Sequence, residues 1–198
     1  MTLEYKCTDT LNDRYLIENL FKDKRKGFFV EIGAANGIDD SSAYLLETYF
    51  DWNGLAIEAN SAFFSKLQVN RKCVCVNAAV SDKNGKSKFI ECEDKYYSVL
   101  YDKVTDWHKE KVFTGNYNIV DIEARTIENI LTEHNCPKDI DFISIDVEGA
   151  EFTSLKDFPF DKFNVGLFII ENNDSRIIDL LKFKGYKQVE NEFSKAPW

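Results

Sequence analysis

Residues 28–37 read FFVEIGAANG, and this stretch decides the fold class. The run Phe28–Ile32 is apolar apart from one acid, as expected for a buried strand of a parallel sheet. Gly33 and Gly37 bracket a turn, because glycine adopts backbone angles that other residues avoid. Residues 39–42 (DDSS) then offer side chains that cap the start of a helix. A strand, a glycine turn and a helix start predict the nucleotide-binding corner of a doubly wound α/β fold.

Apolar strand patterns and amphipathic helix patterns alternate through the rest of the chain. The predicted strands lack a polar face, so helices must cover both sides of the sheet. The fold class is therefore α/β, with a doubly wound, mostly parallel sheet and helices on both faces. In such sheets ligands bind at the carboxyl ends of the strands. Four predicted strands carry an acid at that end, namely Glu31, Glu58, Asp146 and Glu171.

The remaining segments are predicted to surround this core. A helix capped by Asp9 or Thr10 and running to about Lys24 covers the sheet edge or the mouth of the cleft. Residues 82–85 (DKNG) form a hairpin turn, with residues 87–90 as the returning strand. Residues 91–118 are rich in aromatic and polar side chains without clear periodicity, which is typical of a binding loop or lid. A sixth strand is predicted at residues 186–189.

Length and composition indicate one domain over residues 1–198, with an N-terminal helix within 1–26, a Rossmann-like core over 27–190 and an insertion at 91–118. The net charge of −9 argues against nucleic acid as the partner. The five cysteines are odd in number and lack C-x-x-C spacing, which favours buried thiols in a reducing, cytoplasmic compartment. The sequence has no signal-peptide pattern and no apolar run of the ~20 residues that span a bilayer.

The glycine turn differs from the dinucleotide pattern G-x-G-x-x-G in its spacing. Glu31 also stands where that pattern has no charge. An acid at the end of the first strand followed by G-x-x-x-G indicates a site for S-adenosylmethionine, in which the acid and the turn amides hold the amino-acid end of the cofactor. Glu58 lies about 20 residues beyond the turn, where a carboxylate accepts hydrogen bonds from ribose hydroxyls.

The predicted cofactor site therefore combines the first turn with the ends of the neighbouring strands. Asn77 and Ala78, at the end of the third strand, are predicted to lie beside the adenine. The full set of predicted cofactor-binding residues is Glu31, Gly33, Ala34, Asn36, Gly37, Ser41, Glu58, Ala59, Asn77, Ala78 and Asp146.

Four segments in this order resemble the FkbM family of methyltransferases. They are FFVEIGAANG, WNGLAIEAN (Trp52–Asn60), VNAAVSDKNG (Val76–Gly85) and SIDVEGAE (Ser144–Glu151). The resemblance covers roughly residues 27–187. It implies a class I methyltransferase fold, S-adenosylmethionine as the donor with S-adenosylhomocysteine as the product, and most often O-methyl transfer to a sugar or other small hydroxylated molecule.

Matched by position, the resemblance assigns roles to individual residues. Glu31, Gly33, Ala34 and Gly37 resemble the first cofactor loop of the family, and Glu58 resembles its ribose-binding acid. The acids of the D-V-E-G-x-E motif are Asp146, Glu148 and Glu151. Glu31 replaces the more usual aspartate, and Asn60 stands where the family often has proline. The class normally ends with a seventh, antiparallel strand, so either the tail supplies a short one or the chain is one domain of a longer protein.

Transfer of a methyl group to a hydroxyl needs alignment of the reactants and benefits from a base. Asp146 is the first candidate for that base, Glu148 the second and His108 the third. Carboxylate and amide oxygens also suit a divalent metal such as Mg²⁺. Asp146, Glu171 and Asn172 are the candidate ligands, and a metal there would lower the pKa of the acceptor hydroxyl.

Three functions stay open on the sequence. The first is an S-adenosylmethionine-dependent O-methyltransferase acting on a glycan or another small hydroxylated acceptor, with Tyr96, Tyr97, Trp107 and Tyr117 either stacking on the sugar or packing their segment. The second is a nicotinamide-dependent oxidoreductase, against which Glu31 argues. The third is a non-catalytic nucleoside-binding module. The sequence identifies neither the acceptor nor the oligomeric state.

Overall fold

The computed structural model of the protein describes residues 3–92, 97–112, 115–171 and 174–195. Within these ranges the strands, in chain order, are β1 Phe28–Ile32, β2 Asn53–Glu58, β3 Val74–Asn77, β4 Ala79–Val80, β5 Gly85–Cys92, β6 Val99–Leu100, β7 Tyr117–Arg125, β8 Asp139–Ile145 and β9 Asn164–Ile170. The helices are α1 Asn12–Tyr15, continued by a π-helical turn at Leu16–Phe21, then α2 Tyr44–Phe50, α3 Ser61–Asn70, a 3₁₀ turn at Tyr101–Lys103, α4 Asp106–Val112, α5 Ile127–Glu133, α6 Glu151–Leu155 and α7 Ser175–Phe183.

A five-stranded sheet in the order β3-β2-β1-β8-β9 forms the centre of the protein. All its neighbouring strands are parallel. Successive residues of β1 point to opposite faces, so Phe29 packs in one hydrophobic cluster and Val30 in the other. Helices α2 and α3 cover the Phe29 face, while α5, α6 and α7 cover the Val30 face. The predicted α/β fold with helices on both sides of a mostly parallel sheet is confirmed.

A second sheet, in the order β4-β7-β5-β6, lies beside the first. Its long pair is antiparallel, with β5 paired to β7 from Gly85 opposite Ala124 to Cys92 opposite Tyr117. The prediction that residues 87–90 return after a hairpin turn was therefore wrong in its partner, because β5 pairs with β7 and β6. The prediction of an irregular insertion at residues 91–118 was also incomplete, since its described part contains β6, a 3₁₀ turn, α4 and the start of β7.

Both termini differ from the predictions. The first helix begins at Asn12, so its cap is Leu11 in a left-handed backbone conformation and not Asp9 or Thr10. It ends at Phe21, because the backbone of the next residue, Lys22, is not helical. Residues 186–189 do not form a strand. There the Tyr186 hydroxyl donates a hydrogen bond of 2.8 Å to the carbonyl of Val165 in β9, which holds the segment beside the sheet without a ladder.

The five cysteines are free thiols, three of them buried and two half-buried. Within the described ranges, no helix combines the length and the apolar character that crossing a bilayer requires.

Candidate active site

A cleft of about 1320 Å³ runs from the carboxyl ends of β1, β2, β8 and β9 along the edge strand β9 to α7 and residues 185–191. This volume exceeds the 300–1,000 Å³ typical of small-molecule pockets because it includes the space along β9 as well as the space at the strand ends. The four strand-end acids Glu31, Glu58, Asp146 and Glu171 all line it. Tyr15 and Leu16 of the N-terminal helical segment line it as well, so this segment, predicted to cover the sheet edge or the mouth of the cleft, lies against the cleft.

Gly33 brings two of these strand ends into direct contact. Its φ of +81° is in the left-handed region, and a Cβ atom added there would lie 1.7 Å from the carbonyl oxygen of Asp146. The N–H of Asp146 in turn donates to the carbonyl of Ile32 at 3.0 Å. Only a residue without a side chain fits this position, so the glycine fixes Asp146 next to the first turn.

Glu58 is buried at the end of β2, and its carboxylate organises the surrounding main chain. One oxygen accepts the N–H of Ala35 at 2.8 Å, and the other accepts the N–H of Asn60 at 2.6 Å. Burial raises the pKa of Glu58 to about 7, although these hydrogen bonds oppose the rise. The carboxyl is therefore a group whose charge changes near neutral pH.

An apolar recess adjoins Glu58 where the two sheets meet. The central sheet contributes Ala59 and Ala78, and the second sheet contributes Phe89 and Leu100. Asn60 joins the two sides, because its amide nitrogen donates to the Ser98 hydroxyl at 3.0 Å. The recess suits a flat, weakly polar ring placed next to a group that accepts hydrogen bonds.

Glu31 is buried at the end of β1 and belongs to a network of ionic groups. Its carboxylate accepts hydrogen bonds from the Ser41 hydroxyl and from Arg71 Nη1, the latter at 2.8 Å. Arg71 Nε also contacts Glu47 at 2.6 Å, and the side chain of Arg71 is fully buried. Burial disfavours the charge of Arg71, yet Glu31 holds the pKa of the guanidinium above its ordinary value. Glu31 therefore has a fixed cationic neighbour.

Glu47 is the second carboxylate of this network and lies at the far side of Arg71 from Glu31. Burial works against its ionisation, but the Arg71 guanidinium lowers the pKa of Glu47 below its ordinary value. The backbone N–H of Lys72 also donates to Glu47, at 2.6 Å. Arg71 thus bridges two carboxylates, and of the three groups only Glu31 lines the cleft.

Asp146, Glu148 and Glu171 bring one carboxylate oxygen each within 4.8 Å of one another. Asp146 is exposed at the cleft, close to Glu148 and Glu171. Partial desolvation by the surrounding protein, followed by hydrogen bonding to and repulsion from Glu171, raises the pKa of Asp146 well above its ordinary value. Asp146 therefore retains a proton more readily than an isolated aspartic acid does.

The turn that follows Asp146 is held from inside by Glu151. The buried carboxylate of Glu151 accepts the N–H of Val147 at 3.2 Å and the N–H of Gly149 at 3.0 Å. Glu148 has a φ of +54°, so this turn contains a left-handed residue that is not glycine. The anchoring carboxylate fixes that conformation and, with it, the direction of the Glu148 side chain.

His108, on α4, lies against this turn rather than in the cleft. A Cβ atom on Gly149 would be 3.4 Å from its Cε1 atom. Its Nδ1 atom accepts the backbone N–H of Thr105 at 3.1 Å, which leaves Nε2 to carry the proton. Burial lowers the pKa of His108, while the backbone of Glu148 opposes that effect. His108 is not one of the described residues that line the cleft. Its position therefore does not support its predicted role as a base.

The predicted site residues divide into those at the cleft and those beside it. Those that line the cleft are Glu31, Gly33, Ala34, Ser41, Glu58, Ala59, Ala78, Asp146, Glu148 and Glu171. Those that lie beside it are Asn36, Gly37, Asn77 and His108. Asn172, the third predicted metal ligand, lies outside the described residues, as does Tyr96.

The residues beside the cleft have identifiable contacts. Asn36 accepts the N–H of Asp39 at 2.9 Å and so closes the first turn. A Cβ atom on Gly37 would lie 2.8 Å from Arg71 Cγ, so this glycine leaves room for the arginine. Asn77 donates to the carbonyl of Glu58 at 2.8 Å and holds the end of β2. These residues support the site from outside.

Of the four aromatic residues predicted to stack on a sugar, the side chains of two, Tyr97 and Tyr117, are described, and these two lie apart; the Trp107 side chain lies outside the described part. Tyr97 lines the cleft, whereas Tyr117 lines a separate shallow groove next to Asn60. The sequence also gave no role to Arg71, Phe89 or Leu100. Arg71 could have been noticed as a charged residue between a helix and an apolar strand, but its partners lie far away in the chain.

Comparison with known proteins gives one match. The sequence model described as "Methyltransferase FkbM domain" matches residues 31–188, which is most of the chain. The matched range begins at Glu31 and includes Glu58, Asp146 and Glu171. No curated protein and no solved structure matches the chain.

Proposed function

The chain belongs to the FkbM methyltransferase family, and we propose that it uses S-adenosylmethionine to methylate a hydroxyl of a sugar or other small hydroxylated acceptor. The observation that carries this proposal is the gathering of Glu31, Glu58 and Asp146 on one cleft at the ends of three adjacent parallel strands. S-Adenosylmethionine, when bound, supplies a methyl group already activated by its sulfonium. The protein then has to bind the donor and the acceptor, orient them and remove the proton from the acceptor hydroxyl.

Glu58 and the neighbouring recess fit the nucleoside part of the donor. The carboxylate of Glu58 has acceptor capacity beyond its two backbone hydrogen bonds, so it can receive the ribose hydroxyls. Ala59, Ala78, Phe89 and Leu100 offer the apolar walls that a purine needs. Glu31, near the first turn, is the group that would hold the amino-acid end, because its carboxylate lines the same cleft.

The pair Asp146 and Glu171 fits the acceptor side of the reaction. Burial and the neighbouring Glu171 raise the pKa of Asp146, which makes its ionised carboxylate a stronger acceptor for the proton of an acceptor hydroxyl. Asp146 is the proposed base, and Glu171 stabilises the proton that it receives. Glu148, whose direction is fixed by the turn, is the proposed contact to a hydroxyl or cation of the acceptor.

A divalent metal such as Mg²⁺ is the alternative way to activate the acceptor. It is favoured by the closeness of three carboxylate oxygens, from Asp146, Glu148 and Glu171. Oxygen ligands of this kind suit Mg²⁺ or Ca²⁺. Dependence of the activity on added Mg²⁺, with loss in EDTA, would support the metal, whereas full activity in EDTA would leave the carboxyl pair as the activating group.

Isothermal titration calorimetry tests the donor. We expect micromolar binding of S-adenosylmethionine and of S-adenosylhomocysteine, and no binding of NAD, because Glu31 would repel the pyrophosphate that lies at this turn in dinucleotide sites. Binding of NAD without binding of either adenosyl compound would instead support the nicotinamide oxidoreductase. Transfer of labelled methyl to a panel of hydroxylated acceptors tests the reaction.

The predicted cytoplasmic location of the protein stays a prediction.

Binding of the adenosyl compounds without transfer to any acceptor would favour the non-catalytic nucleoside-binding module. A matched pair of variants tests the assignment of Glu58 to the ribose. Glu58→Ala should weaken S-adenosylhomocysteine at least tenfold, because a charge-assisted hydrogen bond contributes about 1.5–3 kcal/mol. Asn77→Ala, which changes a neighbour outside the cleft, serves as the control for general damage to the end of β2.

A further inference from the structure

We propose that Arg71 is a positioning residue for the donor's amino-acid end, and that it acts through Glu31 without touching the ligand. The proposal rests on the proposed function, since it concerns the part of S-adenosylmethionine that lies nearest the first turn. Arg71 follows α3 and does not line the cleft among the described residues. Glu31, its partner, does.

The contacts of Arg71 fix the position of the Glu31 carboxylate. Arg71 Nη1 donates to Glu31 at 2.8 Å, to the carbonyl of Gly37 at 3.2 Å and to the Ser41 hydroxyl at 3.2 Å. On the other side, Glu47 holds Arg71 Nε at 2.6 Å. The guanidinium therefore ties β1, the first turn and the start of α2 together around the carboxylate.

The network of Glu31, Glu47 and Arg71 has one more negative than positive group, and this excess negative charge favours a cation. Two carboxylates, from Glu31 and Glu47, face a single guanidinium. The remaining negative charge is accessible only through Glu31, because Glu31 alone among the three lines the cleft. The amino-acid end of S-adenosylmethionine carries an ammonium group, which this charge would attract. Without Arg71, the Glu31 carboxylate would lose the hydrogen bond that fixes its position at the cleft, and the attraction for the ammonium group would be weakened.

The stability of the fold does not by itself explain the buried network around Arg71. Arg71 Nη2 is buried without a hydrogen-bond partner among the described residues. An unpaired buried donor is unfavourable, and buried ion pairs are often replaced by apolar residues without loss of stability. A role in setting the charge at the cleft explains why a fully buried arginine stands beside the first turn.

The test compares two ligands that differ only at the amino-acid end. S-Adenosylhomocysteine carries that end, and 5′-methylthioadenosine lacks it. By calorimetry at pH 8, we expect Arg71→Met to weaken S-adenosylhomocysteine about tenfold or more and to leave 5′-methylthioadenosine within about twofold. Glu31→Gln should have the same effect. The double variant should be no weaker than either single variant, because both changes remove the same interaction.

The matched control is Arg125→Met. Arg125 is also buried and paired, with Glu133 and Asn129, but neither it nor these partners line the cleft, so both ligands should bind as in wild type. Equal weakening of both ligands by Arg71→Met, or additive effects in the double variant, would overturn the proposal. If Arg71→Met does not fold, Arg71→Lys replaces it, since one ammonium cannot bridge both carboxylates. An unchanged ratio of the two affinities in Arg71→Lys would likewise overturn it.

A wild-type protein that binds neither ligand would contradict the proposed function itself. A wild-type protein that binds 5′-methylthioadenosine and S-adenosylhomocysteine equally well would contradict only the role of the Glu31–Arg71 pair.

Discussion

Replacing Glu58 with glutamine should change how the stability of the ligand-free protein depends on pH. Burial raises the pKa of Glu58 from its ordinary value of 4.5 to about 7. Between these values the unfolded chain releases the proton, while the folded protein keeps it. The folded state is therefore favoured at low pH, and this contribution is lost as pH rises through about 7. The shift corresponds to about 3 kcal/mol, at 1.36 kcal/mol per pKa unit.

Urea denaturation at pH 5 and at pH 8, for wild type and Glu58→Gln, measures this contribution. Both proteins share every other titrating group, including the pair Asp146 and Glu171, so the difference between the two pH values isolates Glu58. We expect the wild type to lose up to about 3 kcal/mol more than Glu58→Gln between pH 5 and pH 8. Equal losses in the two proteins would refute the assignment of a raised pKa to the buried carboxyl.

The same carboxyl should make donor binding depend on pH. Only the ionised form of Glu58 can accept both ribose hydroxyls, and about one molecule in ten has this form at pH 6 when the pKa is about 7. Wild type should therefore bind S-adenosylhomocysteine about tenfold more weakly at pH 6 than at pH 8. Affinity that does not change over this range would separate the ribose contact from Glu58.

Three further predictions concern the first turn and the acids opposite it. Gly33→Ala should lower the free energy of unfolding by about 4 kcal/mol or more, because its Cβ atom would lie 1.7 Å from the Asp146 carbonyl oxygen. Gly185→Ala has a similar φ of +91° with no atom within 4 Å, so it should cost only about 1 kcal/mol in the same urea titration. Asp146→Asn should leave the circular dichroism spectrum unchanged but reduce methyl transfer at least about 100-fold; unimpaired transfer would remove Asp146 from the mechanism. Glu151→Ala should destabilise the protein by about 1–3 kcal/mol, because it leaves the N–H groups of Val147 and Gly149 without their carboxylate; an unchanged urea midpoint would contradict that anchoring role.

Local sequence patterns were sufficient to predict the centre of the fold. The apolar run of β1, the glycine turn and the following helix depend on neighbouring residues, so their order could be read directly. The strand-end acids also followed from the pattern, because all parallel strands end at the same edge of the sheet. Asp146 and Glu58 were predicted for this reason, and both line the cleft.

The second sheet was missed because its pairing depends on distant residues. Gly85 pairs with Ala124, and β4 pairs with the end of β7, across a long intervening segment. The spacing of residues within a short stretch of sequence does not indicate strand partners that lie far away in the chain. Arg71 was missed for the same reason, since Glu31 and Glu47 belong to other elements. The first helix was overextended because Leu11 takes a left-handed conformation that its side chain does not favour.

The contact between Gly33 and the carbonyl of Asp146 has a mechanical consequence. It joins the turn after β1 to the end of β8 with no side chain between them. These two parts of the cleft cannot separate without breaking the parallel ladder that runs through Ile32. Any movement that widens the cleft around a ligand is therefore expected in its outer walls, such as the N-terminal segment at residues 9–12 or the second sheet around Ser98, and not between β1 and β8.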